Sequence, residues 1–285
     1  MSIFIVQALC CDVCLSSFGM SNSTNKTYLA LHHAFLKASG RHTHWNQGED
    51  HIHSDESSEY FHTYTLDLQK VTKRQNRIRL FLPYVQNYGK RNEMIGNVIR
   101  GIGDASLLYY KKVYQRQKSE TSKGFSFLLM TGIEFPTGKH IGLISEPEME
   151  AGSKSWDLLF GSWNQWQWSN SRLTWTNTFK RNSSNSLDFR YGHKLQSELI
   201  WIKSIYRNNL RVLLGGSSQF SSHNIWMNQK LIHSGGHVHF GNVGLNFFLK
   251  RWTIVPFLSI PIWENLNGSQ AKNNYRTTLT INYQL

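Results

Sequence analysis

Histidine is concentrated in two polar stretches of the sequence, with a spacing that suits transition-metal binding. The first stretch, RHTHWNQGEDHIHSDESSE, covers residues 41–59 and contains His42, His44, His51 and His53. The second, HSGGHVH, contains His233, His237 and His239. Two histidines separated by one residue on an extended backbone point to the same side, which suits Cu(II), Zn(II) or Ni(II). Because metal ligation needs neutral imidazoles, affinity is expected to fall as the pH drops through about 6.5.

Both histidine-rich stretches are expected in long loops at the same rim of the protein. Three interpretations are open for them. They could form a rim that captures Cu or Zn, they could be solvated polar loops in which histidine is simply common, or their protonated side chains could contact lipopolysaccharide. Titration with Cu(II) and Zn(II) distinguishes the first from the others.

All three cysteines lie near the N-terminus, in the sequence CCDVC. Cys11 and Cys14 form a C-x-x-C pair next to Cys10. A structural zinc site needs more ligands than this segment offers. An oxidised pair, a lipid-modified cysteine and a copper(I) site are the alternatives, since soft thiolates suit copper(I). The flanking sequence VQALC fits a lipoprotein signal poorly.

The sequence carries no recognisable catalytic motif. It contains neither G-x-S-x-G nor H-E-x-x-H, and no serine, histidine and aspartate fall at a triad-like spacing. We therefore predict that the protein is not an enzyme. If a barrel hydrolase were present, a histidine inside a strand, such as His62, would be its candidate base.

The N-terminal 27 residues divide into two segments. Residues 1–9 are apolar from Ile3 to Val6, and Val6-Gln7-Ala8 resembles a cleavage site, so this segment is interpreted as a truncated signal peptide. Residues 10–27 are expected to form a short periplasmic segment, and residues 28–285 the main domain. The alternative for residues 1–9 is a hydrophobic terminus without a targeting role.

The composition points to an exported protein with an anionic partner. Aromatic residues make up 13% of the chain, and the formal net charge is +13. Lysine and arginine are scattered over the chain instead of clustered, which disfavours nucleic acid as the partner. Lipopolysaccharide, other outer-membrane lipid or an anionic small-molecule solute fits better. No run of 18 apolar residues occurs, which excludes a membrane-spanning helix.

Alternation of apolar and polar residues predicts an almost all-β chain. In the final segment, YRTTLTINYQL, the odd positions from Tyr275 to Leu285 are apolar or β-branched and the even positions from Arg276 to Gln284 are polar. This period of two is typical of a strand with one buried face. The same pattern recurs along the chain and indicates about twelve strands.

Short and long connectors alternate strictly between these strands. The five shorter ones lie near residues 71–76, 114–123, 169–171, 208–209 and 250–251. The six long, polar ones lie near residues 43–56, 90–100, 137–152, 183–195, 219–237 and 263–274. This asymmetry is typical of an up-and-down antiparallel β-barrel in the Gram-negative outer membrane, with short periplasmic turns and long extracellular loops. The last strand would pair with the first, leaving no exposed edge. A secreted soluble β-protein is the alternative.

The same alternation assigns charged side chains to the lumen. The inward basic residues are predicted to be Arg77, Arg79, Arg172, Lys180, Arg211 and Arg276. The inward acidic residues are predicted to be Asp67, Glu134 and Asp157. A basic excess would favour anionic solutes, since charged rings set selectivity in wet pores. The alternative is that these charges pair within a plugged, rigid interior.

Three motifs resemble landmarks of a known family. They are GIGDASLLYYKKVY (101–114), TGIEFPTGK (131–139) and AGSKSWDLLFGS (151–162), and they resemble the meta-pathway-of-phenol-degradation outer-membrane proteins of the FadL-like group. CDVC, EYFHTYTLDL and LFLPY are similar to one branch of that group, which carries similar cysteines. The order of landmarks matches over residues 10 to about 200. The broader group consists of channels for hydrophobic compounds, but the resemblance implies only a transporter-like barrel and no particular substrate. We expect small solutes, with anionic or aromatic compounds as the candidates.

The glycines of these motifs are expected at or inside strands, where they would mark bends or close backbone approach. They are Gly101, Gly103, Gly132, Gly152 and Gly161. Such bends could serve barrel closure or open a lateral or lumenal path for a solute. Asp104 and Asp157 lie near strand ends, where each could cap a turn or, as we expect, pair with a basic residue of the wall.

Overall fold

The computed structural model describes residues 26–44, 53–91, 94–116, 123–139, 149–206 and 209–285. The strands in these ranges are β1 (Tyr28–His44), β2 (His53–Val71), β3 (Arg77–Arg91), β4 (Met94–Ile102), β5 (Ser106–Gln115), β6 (Gly124–Glu134), β7 (Asp157–Gln167), β8 (Ser171–Arg181), β9 (Phe189–Arg190), β10 (Lys194–Tyr206), β11 (Leu210–Ser221), β12 (Ile225–Trp226), β13 (Gln229–Lys230), β14 (Gly236–Leu249), β15 (Trp252–Leu266) and β16 (Lys272–Gln284). Within these ranges, no helix is long and apolar enough to span a membrane.

The strands close into a twelve-stranded antiparallel barrel, as predicted. We call each of the twelve positions in the barrel wall a stave, because one of them is occupied by two strands in succession. Eleven staves are single strands, and the fourth consists of β4 and β5 in succession along β3. The barrel closes where β1 pairs with β16, from Tyr28 opposite Gln284 to Ser39 opposite Lys272. The short strands β9, β12 and β13 form a separate three-stranded sheet above the wall. Each long barrel strand therefore has a partner on both sides over most of its length.

The last strand alternates between the two faces of the wall as its sequence predicts. Leu279 is 40% exposed on the outer face, whereas its neighbour Thr280 is 0% exposed. Arg276, Thr278 and Asn282 are buried on the same face as Thr280. The residue period of two therefore separates an apolar outer face from a polar interior in this strand.

Large apolar side chains cover the outside of the barrel around its circumference. They include Leu31, Leu66, Leu82, Leu129, Leu158, Leu199, Leu214, Val243, Ile260 and Leu279, all exposed. At the edge of this band nearest Tyr28 and Gln284, Trp252 packs on Tyr283 with ring centroids 4.8 Å apart. An apolar band bordered by aromatic residues around a closed barrel is the architecture of an outer-membrane protein. The predicted outer-membrane location is thereby confirmed.

The two ends of the barrel differ in connector length. Residues 72–76, 116–123, 168–170, 207–209 and 250–251 connect strands at the end that also holds Tyr28 and Gln284. At the other end, which by the usual orientation is extracellular, the three longest connections separate β6 from β7, β8 from β10 and β11 from β14. Only residues 92–93 separate β3 from β4 and residues 267–271 separate β15 from β16, so the predicted strict alternation of short and long connectors is wrong. Several strands extend further than predicted, because β2 begins at His53, β14 at Gly236 and β15 ends at Leu266. Parts of five of the six predicted long loops are therefore wall, and the predicted loop near residues 90–100 is largely occupied by β4.

The fourth stave is interrupted near its middle, a feature that the sequence pattern did not predict. Residues 103–105 separate β4 from β5, and β6 ends at Glu134, opposite Ser106 of β5. In the described part of the chain, β4 has β3 as its sheet partner, and its other edge is bordered by the chain after β6. There Lys139 N–H donates to Ile102 O at 2.9 Å.

Side chains fill much of the barrel interior. One buried cluster joins four neighbouring staves and consists of Phe81, Leu108, Tyr110, Leu128, Met130, Leu159 and Trp163. A second, on the opposite side, consists of Ile200, Leu213, Val255 and Phe257. Small barrels are commonly packed in this way. Any solute path must therefore run where polar and flexible side chains replace these clusters.

Candidate functional site

A cavity of about 650 Å³, including the space open to solvent, lies in the extracellular half of the barrel. Its wall side is formed by Thr63 of β2 and by Pro83, Val85 and Asn87 of β3. The remaining lining comes from the interruption in the fourth stave, the segment after β6 and the ends of β8 and β10, and consists of Gly103, Asp104, Glu134, Glu150, Ala151, Gly152, Ser153, Lys180, Asn182, Tyr191 and Lys194. The cavity thus lies where the regular wall is broken.

Asp104 connects three separate sequence motifs at the edge of this cavity. Its Oδ1 accepts the backbone N–H of Gly138 at 2.8 Å. Its Oδ2 accepts the backbone N–H of Ser153 at 2.6 Å and the Ser153 hydroxyl at 2.7 Å. The carboxylate therefore holds residues 137–139 and 151–155 against the interrupted stave. The expectation that Asp104 pairs with a basic residue is wrong, because backbone amides and a hydroxyl take its lone pairs.

Gly138 and Gly152 permit this three-way contact. A Cβ atom on either residue would lie 2.5 Å from the Cα of the other and within 3 Å of the Asp104 carboxylate. Such distances leave no room for a side chain, so glycine is required by close approach of two backbones. Gly152 was expected in or beside a strand, but it lies in the segment between β6 and β7.

Lys180 lies between two acidic side chains on the inward face beside the cavity. Its Nζ contacts Glu134 Oε1 and lies 3.3 Å from Asp157 Oδ2. The other Asp157 oxygen accepts the Ser155 hydroxyl and the Ser183 backbone N–H, both at 2.9 Å. The predicted pairing of Asp157 with a basic residue is thus present. This cluster ties the ends of β6, β7 and β8 together.

A second buried network fills the periplasmic half of the lumen around Asp67. Arg79 donates from Nη2 to Asp67 Oδ2 at 2.6 Å and from Nε to Oδ1 at 3.3 Å. His32 Nε2 and the Tyr28 hydroxyl approach Oδ2 at 3.1 and 3.2 Å. His32 Nδ1 lies 2.7 Å from the Thr280 hydroxyl across the β1–β16 seam. Asp67 and His32 are fully buried in this network, which therefore occupies part of the lumen at its level.

The other lumenal arginines predicted from alternation also lie on the inward face. Arg276 donates to Gln219 Oε1 at 2.8 Å and stacks over Phe240. Arg77 is buried with its guanidinium 5.1 Å from the Trp163 ring centroid. Arg172 donates to Gln167 at 2.8 Å, and Arg211 stacks over Phe248. Most of the interior charge in the described part of the chain is therefore engaged in contacts with the wall.

The described parts of the histidine-rich stretches lie only partly in the loops predicted for them. His42 and His44 lie in β1 and His53 in β2, with His44 opposite His53 in the ladder. His237 and His239 lie in β14 and face outward, with ring centroids 4.4 Å apart beside Trp263. His233 accepts the Ser269 backbone N–H at 3.0 Å. The strands that carry His44, His53 and His237 continue past the apolar band, so these residues are part of the wall. His233 lies between β13 and β14, in a predicted loop.

Metal binding stays a prediction. Among the described residues, no group of three or more histidine, cysteine, aspartate or glutamate side chains could hold a metal ion. His51, Cys11 and Cys14, together with residues 1–9 and most of residues 10–27, lie outside the described residues. His62, the candidate base of a hydrolase, lies on the outer wall, where its Nδ1 is 3.3 Å from His33 Nε2. It does not face the cavity.

His193 gives the extracellular end a pH-dependent contact. Its Nδ1 accepts the Asn182 backbone N–H at 3.2 Å, which requires an unprotonated nitrogen. Burial lowers the pKa of His193 below its ordinary value of 6.5, Arg190 and Arg181 lower it further, and Asp157 opposes them. The neutral form therefore stabilises the folded loop fully above about pH 6.5, and this contribution is lost as the pH falls from there through the lowered pKa.

We expect the backbone N–H of Asn182 in the wild-type protein to lose protection from hydrogen exchange as the pH falls below about 6.5, because protonated His193 can no longer accept its hydrogen bond. Protection factors corrected for the intrinsic exchange rate measure this directly. His193→Asn keeps an acceptor near the same position but cannot titrate, so its protection should not depend on pH in this range. Equal pH profiles for the two proteins would contradict the assignment.

Comparison with known proteins supports the fold. No family model matches the chain, and no curated protein matches it by sequence. Among solved structures, the COG4313 outer membrane channel from Pseudomonas putida F1 is similar, with a TM-score of 0.65 at 11% identity over 93% of this chain and 100% of that one. The translocator domain of the autotransporter NalP from Neisseria meningitidis has a TM-score of 0.46 at 10% identity, over 95% and 92% of the two chains. The first of these likenesses shows the outer-membrane barrel fold; membership of the FadL-like group is not established by it.

Proposed function

We propose that this barrel is an outer-membrane channel in which a small solute binds the extracellular cavity and then passes a constriction around Asp67 and Arg79. The position of the cavity supports this proposal. Thr63, in its lining, lies four residues from Asp67 on the same inward face of β2. The cavity and the constriction are therefore consecutive along the barrel axis. A barrel without an open pore is the alternative.

The cavity lining favours an aromatic or otherwise apolar solute with little net charge. Pro83, Val85 and Tyr191 offer apolar surface, and Asn87 and Asn182 offer amide groups. Asp104, Glu134 and Glu150 face two lysines, Lys180 and Lys194, so fixed charge at this level does not favour anions. Ligand sites commonly combine apolar surface with a few orienting polar groups. The excess of inward basic residues predicted from the strand pattern would therefore affect ion selectivity at the constriction more than solute binding in this cavity.

Single-channel recording in planar bilayers tests the proposal. The double variant Asp67→Ser/Arg79→Ser removes both charged side chains from the constriction together, so no charge is left without its partner. We expect a severalfold larger conductance than for the wild-type barrel. The control Lys70→Ser/Arg74→Ser removes two exposed charged side chains at the periplasmic end and should leave the conductance unchanged.

A bulky neutral aryl glycoside added on the extracellular side should interrupt the ion current through the wild-type barrel. Val85→Trp fills the cavity and should abolish the interruption, whereas Val98→Trp, on the exposed outer face, should not. The reversal potential in a salt gradient measures anion preference in the same recordings. If opening the constriction leaves the conductance unchanged, the barrel without a pore is the better explanation.

A further inference from the structure

A row of basic and aromatic side chains crosses the outer face of four neighbouring staves. Cross-strand pairing places Tyr275 beside Lys37, Lys37 beside Tyr60, and Tyr60 beside Tyr88. The Nζ atoms of Lys37 and Lys90 each lie 5.6 Å from the centroid of the Tyr60 ring. Tyr60 also stacks on Tyr88 with centroids 4.9 Å apart. Two ammonium groups thus converge on one aromatic ring. We call Lys37, Tyr60, Tyr88, Lys90 and Tyr275 together the Tyr60 surface.

Further basic side chains surround the Tyr60 surface. Lys272 is exposed and lies opposite Ser39 of β1, and Lys90 lies opposite Ser58 of β2. Arg100, also exposed, projects from β4 beside Gln86. Among the outward side chains described on this part of β16, β1, β2, β3 and β4, none is acidic. The surface therefore attracts anions and provides hydroxyl donors between its cations.

The height of the Tyr60 surface on the barrel identifies the environment it faces. Along β1, the outward residues from Leu29 to Phe35 are apolar or aromatic, with Lys37 next in the series. A strand rises about 3.3 Å per residue and is tilted by about 40°, so Lys37 lies roughly 20 Å above Leu29. The apolar band of such barrels is about 25 Å tall. The lysines thus reach the level of the headgroups of the outer leaflet.

Tyrosine and lysine side chains at this depth suit a phosphorylated sugar headgroup. Ammonium groups bind phosphate oxygens as point charges, and tyrosine rings pack on a sugar or on the upper part of an acyl chain while their hydroxyls reach the polar layer. Basic clusters at the membrane surface recognise anionic lipid headgroups on this principle. A phospholipid would present a single phosphodiester, whereas the separated cations Lys37, Lys90, Arg100 and Lys272 fit a headgroup with several anionic groups.

We propose that the Tyr60 surface is a binding site for the phosphorylated headgroup of lipopolysaccharide, with Lys37 and Lys90 as its central phosphate ligands. The site uses the outer wall and is separate from the solute cavity inside the barrel. Its existence depends on the outer-membrane location and the barrel fold, and it does not depend on whether the channel conducts.

Binding of purified lipopolysaccharide to the detergent-solubilised full-length barrel tests the proposal. The variant Lys37→Ala/Lys90→Ala should bind roughly 30-fold more weakly than the wild-type protein, from the usual contribution of two lysines near an anionic surface. The control Lys70→Ala/Lys73→Ala removes two exposed lysines at the periplasmic end and should bind like wild type. A retained difference in electrophoretic mobility between heated and unheated samples verifies that each variant is folded.

Two further ligands show what the site recognises. Lipopolysaccharide with its lipid A phosphates removed should bind the wild-type protein about as weakly as native lipopolysaccharide binds the double variant. Phosphatidylglycerol vesicles should not compete at an equal concentration of headgroups. Wild-type affinity in the double variant, equal binding of the dephosphorylated lipid, or effective competition by phosphatidylglycerol would each overturn the assignment.

Discussion

Asparagine in place of Asp67 is expected to lower the free energy of unfolding of the barrel by roughly 3–5 kcal/mol. The carboxylate is fully buried and accepts two hydrogen bonds from Arg79, with Nη2 at 2.6 Å from Oδ2. The neutral amide leaves the guanidinium inside the barrel without a counter-charge, and desolvation of an unpaired ion is costly. Urea unfolding of the protein in lipid vesicles, followed by tryptophan fluorescence, measures the change.

A double-mutant cycle separates the charge pair from a general packing defect. Arg79→Gln added to Asp67→Asn removes the unpaired charge, so the double variant should be more stable than Asp67→Asn alone. Asp188→Asn, at an exposed position between β8 and β9, is the matched control and should be within about 0.5 kcal/mol of wild type. A similarly small effect for Asp67→Asn would show that the carboxylate is not an essential counter-charge.

Alanine in place of Asp104 is expected to release residues 137–139 and 151–155 from the barrel wall. The carboxylate accepts three hydrogen bonds, and each bond to a charged acceptor contributes about 1.5–3 kcal/mol. Hydrogen exchange at the Gly138 and Ser153 amides should therefore accelerate on the order of 100-fold, while exchange in the opposite wall, for example in β14, should not change.

Graded substitutions distinguish the separate contacts of Asp104. Asp104→Asn keeps one acceptor oxygen and should protect one of the two amides. Ser153→Ala removes the hydroxyl donor to Asp104 and the acceptor of the Ser155 N–H and hydroxyl. It leaves both backbone amides bonded to Asp104, so it should have the smallest effect of the three variants on exchange at Gly138 and Ser153. If the Gly138 and Ser153 amides exchange at wild-type rates in Asp104→Ala, the carboxylate does not hold the two segments, and the backbone contact of Gly138 with Gly152 accounts for their position.

The staves of the barrel could be predicted from sequence because their signal is local. Alternation with a period of two is imposed by the strand itself, and the contrast of lipid outside with polar groups inside makes it visible in segments such as 275–285. In the structure, Arg79, Lys180 and Arg276 are buried on the face that this alternation assigned to the interior. That they line a solute path stays a prediction. Strand ends were less predictable, because the wall continues past the apolar band, where alternation no longer separates lipid from water.

The contacts that build the candidate site were not predictable from alternation alone. Asp67 and Arg79 could be assigned to the interior, but their pairing depends on the register between β2 and β3. The role of Asp104 depends on two segments distant in sequence. A signal was present: GIGDAS, PTGK and AGSKS each place glycine beside polar residues near predicted strand ends on one side of the membrane. Their convergence requires the interruption of the fourth stave, which has no clear mark in the pattern.

Pairing of β1 with β16 has a consequence for the order in which the chain folds. The seam joins Tyr28 to Gln284, so it cannot form until almost the entire chain has been synthesised. Contacts this distant in sequence form slowly, and the open sheet that precedes them carries two unpaired edges prone to association. A slip of the seam by two residues would preserve the inside and outside alternation. Such a slip would place Thr278 or Asn282 opposite His32, and either can hydrogen-bond an imidazole, so the contact with Thr280 joins the seam without fixing its register by itself.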